Sequence, residues 1–127
     1  MFNKFHHIAI ICSDYKTSRN FYTDKLGFKV IAETYRENKD SWKLDLALPN
    51  GDAIELFSFP APPSRPNQPE ACGLRHLSFE VDDVAAIKST LESQGINVEA
   101  IRIDEFTGKR FTFFKDPDGL PLEVYEA

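Results

Sequence analysis

The sequence predicts an α+β fold built from two βαβββ modules, and three observations carry that prediction. The chain repeats itself, the two copies share cap and turn signals, and a proline-rich segment separates them. A fixed internal period is the first thing to look for, because it decides the architecture before any single element is assigned.

Each copy opens on an apolar run that ends in a helix-capping residue. The first reads His7-Ile-Ala-Ile-Ile-Cys-Ser-Asp14 and the second His76-Leu-Ser-Phe-Glu-Val-Asp-Asp83, with the same gap from His to Asp. Asp14 and Asp83 suit the N-cap of helices predicted over Tyr15–Leu26 and Val84–Gln94. Gly27 and Gly95 stand where a left-handed C-cap is expected. A strand is predicted after each, over Phe28–Ala32 and Ile96–Ala100. Further on, Pro49, Gly51 and Glu55 recur as Pro117, Gly119 and Glu123 at a constant offset of 68 residues. Pro-Asn-Gly and Pro-Asp-Gly are hairpin turn sequences, so each Glu falls in the returning strand. The segment from Pro60 to Pro69 holds five of the eight prolines and reads as a stiff spacer. One domain is therefore expected over residues 1–127, with modules at 1–59 and 70–127 joined by a linker at 60–69.

Composition bounds the partners. Hydrophobic residues make up 42% of the chain and eleven are phenylalanines, enough for a packed core without staples. The formal net charge of −5 argues against nucleic acid, whose phosphates need a basic surface. No apolar run approaches the roughly 18 residues that a membrane span requires. The N-terminal Met1-Phe-Asn-Lys-Phe-His-His lacks the basic and apolar regions of a signal peptide, so a cytoplasmic location is expected. Cys12 and Cys72 form no CxxC motif and are read as reduced thiols packed like small apolar groups.

Four residues point to a metal. Two of the three histidines, His7 and His76, hold the same position in the two copies, and so do Glu55 and Glu123. His6 has no counterpart and is read as an ordinary strand histidine. Strand alternation puts His7 on the face of Ala9 and Ile11, Glu55 with Ala53 and Phe57, and Glu123 with Pro121 and Tyr125. A carboxylate between Ile54 and Leu56 is costly to bury unless a cation offsets its charge. If the copies pack about a pseudo-two-fold axis, two imidazoles and two carboxylates converge. That donor set suits one borderline divalent ion such as Ni, Zn, Co, Mn or Fe. Four protein ligands leave room for water or substrate, which marks a catalytic site.

With those residues in place, the chain resembles the vicinal oxygen chelate superfamily, which includes glyoxalase I, bleomycin-resistance proteins and dioxygenases. The resemblance covers nearly the whole chain. It is carried by His7, Asp14, Ser18-Arg-Asn-Phe-Tyr22, Leu26-Gly-Phe28, Ile54-Glu-Leu56, Gly73-Leu-Arg-His-Leu77 and Asp116-Pro-Asp-Gly119 leading to Glu123. It implies two βαβββ modules forming a cupped mixed sheet around one metal, with ligands at His7, Glu55, His76 and Glu123. The His/Glu/His/Glu set is that of glyoxalase I, whereas related dioxygenases and fosfomycin-resistance enzymes do not use the position of Glu55. Related epimerases typically carry Gln there. The implied chemistry is proton transfer at a carbon beside an oxygen that the metal polarises, with Glu123 as base and Glu55 as its counterpart. A departure accompanies the match. Glutathione-using glyoxalases carry Arg and Asn where this chain has Ile11 and Phe59, so the thiol cosubstrate is not supported. Arg36, Lys43, Lys109 and Arg110 are candidate anion-binding groups that read first as solvated charges, and Trp42 reads as packing.

The expected function is a glyoxalase-type lyase or isomerase acting on a small molecule. An epimerase using the same proton abstraction, or a drug-binding resistance protein without chemistry, are the competing readings. A homodimer is expected, because a single four-stranded module cannot enclose a metal and the members this chain resembles are dimers.

Overall fold

The computed structural model describes residues 1–127 as two compact units, Met1–Ser64 and Arg65–Ala127. The first contains strand β1 (Ile8–Cys12), helix α1 (Tyr15–Asn20), and strands β2 (Lys29–Arg36), β3 (Ser41–Ala47) and β4 (Ala53–Ser58). The second contains β5 (Leu77–Val81), α2 (Val84–Ser93), β6 (Arg102–Ile103), β7 (Arg110–Lys115) and β8 (Pro121–Glu126). Each forms its own four-stranded mixed sheet, ordered β1-β4-β3-β2 and β5-β8-β7-β6. The predicted α+β class and the βαβββ order in both copies are what the structure has.

The local signals act as expected at the caps. The Asp14 carboxylate accepts the backbone N–H of Thr17 at 2.9 Å, and Asp83 that of Ala86 at 3.0 Å. Gly27 and Gly95 both sit at φ +80°, where a side chain would be strained. The Pro-x-Gly segments are tight turns closed from Gly51 to Leu48 and from Gly119 to Asp116, and they hand the chain to β4 and β8.

Three elements differ from expectation. The first helix is α-helical only to Asn20; Phe21–Lys25 widen into a π turn, with the Leu26 N–H reaching the Phe21 carbonyl. The Thr23 hydroxyl bonds the Arg19 carbonyl, and the wider turn buries Phe21 and Tyr22 together. The strand after Gly27 runs on to Arg36 because it pairs with β3 from Lys29 to Arg36, interrupted only by a bulge at Ile31. The strand predicted over Ile96–Ala100 does not form; only Arg102–Ile103 pair with β7. There the acceptors are taken by side chains. Lys88 Nζ donates to the carbonyls of Val98 and Glu99, and the Thr112 hydroxyl donates to Glu99. The reading of both cysteines as packed is also corrected: Cys12 is buried but Cys72 is exposed.

Each sheet turns one face to its helix. Ile10, Leu44, Leu46, Ile54 and Leu56 form that face in the first unit with Phe21, Tyr22 and Phe28 beneath them. Phe114, Leu122 and Val124 do the same in the second, against Val84 and Leu91. The opposite face of each sheet carries the candidate site residues.

Candidate metal centre

His7 and His76 are each the residue immediately before the first strand of their unit. Parallel pairing of β1 with β4 sets Ala9 against Glu55, and β5 with β8 sets Ser78 against Glu123. The alternation then brings each histidine beside the glutamate of its own unit. His7 Nδ1 lies 3.3 Å from Glu55 Oε2, and His76 Nε2 lies 3.9 Å from Glu123 Oε1. The flanking Ile54, Leu56, Leu122 and Val124 are buried on the other face, so the two carboxylates are held by a packed core.

Their surroundings differ. Glu123, with 13% of its side chain exposed, accepts the Ser78 hydroxyl at 2.6 Å. The His76 ring stands edge-on to Phe113 with centroids 5.1 Å apart. Glu55 has Lys43 Nζ at 3.8 Å, and Lys43 is itself bonded to Asp45 at 2.8 Å. The Asp45 hydrogen bond holds the Lys43 ammonium above the usual lysine range, so it stays charged beside Glu55. His6 Nδ1 lies 2.8 Å from His7 Nδ1, a contact that needs a proton on one of the two rings.

For bonds of about 2.0–2.2 Å, donor atoms stand roughly 3.0 Å apart at right angles and about 3.4 Å apart in a tetrahedron. The His7–Glu55 separation falls in that range, and the His76–Glu123 separation is wider by about half an ångström, a small ring rotation. The donor chemistry fits a borderline divalent ion. Within neither unit do three or more His, Cys, Asp or Glu side chains gather in an arrangement that could hold a metal ion. Each unit offers two donors.

Other sequence candidates fall elsewhere. Trp42 stacks on Tyr15 on the helix side of its sheet, away from Glu55. Lys109 and Arg110 lie at the turn entering β7, where the Arg110 backbone N–H bonds Glu126. Arg36 is on the site face, its guanidinium 4.8 Å from the Phe57 ring centre and 5.5 Å from that of Phe59. Ser78 is not among the residues repeated between the two copies of the sequence, although it stands two residues after His76 and so on the same strand face.

The chain belongs to the Glyoxalase/Bleomycin resistance protein/Dioxygenase superfamily, whose family model matches residues 4–124. It is 63% identical to YaeR of Escherichia coli (strain K12), covering 95% of this chain and 94% of that one. Among solved structures it resembles SMU.1112c, at 46% identity and a TM-score of 0.95 over 99% of this chain and 100% of that one. A glyoxalase family protein from Enterococcus faecalis is 49% identical, with a TM-score of 0.92 over 98% of each chain. More distant structures share the fold alone. They include a glyoxalase I mutant from Zea mays (18% identity, TM-score 0.82, 96% of this chain and 44% of that one). Another is the fosfomycin resistance protein FosX from Listeria monocytogenes in complex with Mn(II) (15%, 0.79, 100% and 94%). No helix of this chain is long and apolar enough to cross a membrane.

Proposed function

We propose that this protein is a metal-dependent lyase or isomerase of the glyoxalase type, moving a proton next to a carbonyl or hydroxyl of a small substrate. One observation carries the reading: both sequence repeats set a histidine nitrogen 3.3 or 3.9 Å from a glutamate oxygen, at corresponding positions of their sheets. His7, Glu55, His76 and Glu123 would hold one divalent ion, with Ni, Zn, Co, Mn and Fe all compatible with the donor set. When bound, such an ion supplies Lewis-acid polarisation of a substrate oxygen.

The proton is assigned to Glu123. Its Oε1 is fixed by Ser78 and faces His76, which leaves Oε2 to take or return a proton. Glu55 is its counterpart, with the Lys43 charge nearby to balance a second carboxylate. Ile11 and Phe57 flank Glu55, and Phe113 flanks His76, so the substrate's carbon body meets apolar surface on both sides. Ile11 is 56% exposed and Phe59 packs on Phe57. Neither can bind the carboxylates of glutathione, which argues for a different cosubstrate or none.

The test is metal analysis of protein purified under metal-replete conditions, followed by turnover of methylglyoxal with several thiols and with Ni, Co, Zn and Mn in turn. About one equivalent of metal per site is expected; less than about half would favour a drug-binding protein without chemistry and overturn the enzyme reading. Saturation by the glutathione hemithioacetal should be poor or absent. A Michaelis constant between micromolar and about a millimolar for that substrate would refute the cosubstrate argument.

A further inference from the structure

A cavity of about 300 Å³ opens beside His76 in the second unit, and its charges do not balance. Arg65, Arg75, Arg102 and Lys115 face two carboxylates, Glu70 and Glu99. Arg75 pairs with Glu70 at 2.7 Å and Arg102 with Glu99 at 3.4 Å. Arg65 and Lys115 have no acidic partner, so two positive charges remain in the pocket.

Arg65 is built into place. Its Nε donates to Asn67 Oδ1 at 2.8 Å, and its Nη2 to the carbonyls of Leu74 and Arg75 at 2.7 and 3.1 Å. Asn67 in turn donates to the Gly119 carbonyl at 2.7 Å, tying the segment to the turn before β8. A Cβ on Gly119 would stand 3.2 Å from Asn67 Nδ2, so that close approach depends on glycine. All three acceptors of Arg65 are neutral. They fix the guanidinium without cancelling its charge, and both N–H groups of Nη1 are left over. Lys115 projects from the same face of β7 as Phe113, opposite Pro121. Beside Asn67, Gln68 and His76, the uncharged wall is apolar and includes Phe113, which stands edge-on to His76, and Pro121.

We propose that this cavity binds a small organic acid, its carboxylate on Arg65 and Lys115 and its carbon body on Phe113 and Pro121, which brings the rest of the molecule to His76. Unused N–H groups of a preset guanidinium lining a pocket with a two-charge excess recognise a planar oxyanion. The volume is at the lower end for ligand sites, which limits the molecule to metabolite size. The acid is the substrate class of the proposed reaction, and that part of the inference rests on the metal reading above. The binding itself does not.

Binding is measured on the whole chain after treatment with chelator, by following backbone amide resonances during titration with mandelate, with its uncharged amide and with inorganic phosphate. Mandelate should saturate shifts at Asn67, His76, Phe113 and Lys115. Its amide should bind at least tenfold more weakly, and so should mandelate to Arg65→Gln or Lys115→Glu. Arg65→Gln can loosen the segment it anchors; Lys115 is exposed and unpaired, so Lys115→Glu keeps the fold. Equal affinity for acid and amide, unchanged affinity in Lys115→Glu, or no saturation below about 10 mM would overturn the proposal. Tighter binding of phosphate than of mandelate would overturn the carboxylic-acid class. Because no metal is present, failure here leaves the four-ligand reading intact, and failure to bind metal leaves this titration unaffected.

Discussion

His7 and Glu55 stand 3.3 Å apart on one face of a sheet whose other face is closed by Ile10, Leu44 and Leu56. That separation makes the proposed ligand residues expendable for folding. His7→Ala and Glu55→Ala should each lower metal affinity by about tenfold or more, as removal of even outer contacts at metal sites does. Circular dichroism should be unchanged, since the apolar core is untouched. If His7→Ala matches the wild-type chain in both metal content and circular dichroism, the assignment of His7 as a ligand is wrong. At this scale the sequence was informative where a residue had a counterpart in the other copy. That His7, Glu55, His76 and Glu123 form one set could be read from repetition and strand alternation; that each histidine meets the glutamate of its own unit comes from the parallel pairing of β1 with β4 and of β5 with β8. Arg65, Asn67 and Ser78 have no such counterpart. Their roles depend on where the segment after the linker folds back and on which hydroxyl meets which carboxylate across β5 and β8, and no periodicity encodes that.

The first helix shows how an element is fixed by a few polar contacts on top of its buried face. Arg19 Nε donates to Glu33 at 2.9 Å, and the Tyr15 hydroxyl donates to the same carboxylate, joining α1 to β2. These two bonds, Tyr15 first, hold the Glu33 carboxyl below its ordinary value of 4.5. The Thr17 backbone N–H does the same for Asp14 at the helix start. A carboxylate whose pKa falls on folding stabilises the native state above its unfolded pKa. That contribution is lost as pH drops through 4.5 and below. The stability difference between the wild-type chain and Glu33→Gln should therefore be present near pH 7 and shrink steadily below about pH 4.5 in thermal melts. A difference that stays constant down to about pH 3 would show that the triad carries no charge-dependent stability. Both groups are near the surface, so the effect is small. The element boundaries that sequence missed have the same kind of cause. Asp14, Asp83, Gly27 and Gly95 mark helix ends through backbone chemistry that is local and readable. The π turn and the missing strand at Ile96–Ala100 depend on Thr23, Lys88 and Thr112 capturing carbonyls, two of them from distant parts of the chain.

At the scale of the molecule, each unit holds one His–Glu pair, so the proposed four-ligand centre needs two units. The chain can provide both itself or share them with a second copy. The segment of residues 60–69 has neither helix nor strand, but Arg65 and Asn67 are bonded into the second unit, so the free span is residues 60–64, about 15 Å at 3.1 Å per residue. That reach allows the second unit to meet its own first unit or that of another chain. The two sheets have edge strands β1, β2, β5 and β6 that each pair on one side only within their own sheet, and closed two-fold assemblies are the commonest way to cover such surface. We therefore expect a homodimer. Solution scattering at tens of micromolar should give about twice the 14.5 kDa chain mass, and a mass near 14.5 kDa would rule the dimer out. Mixing His7→Ala and Glu123→Ala chains through a denaturation and refolding cycle then decides how ligands are distributed. If each site draws one pair from each chain, a mixed dimer has one site with both defects and one fully intact, so metal binding returns to part of the population. If all four ligands come from one chain, every site keeps a defect and nothing is recovered. Recovery would also explain why the two pairs are built as self-contained His–Glu units, each held by its own sheet.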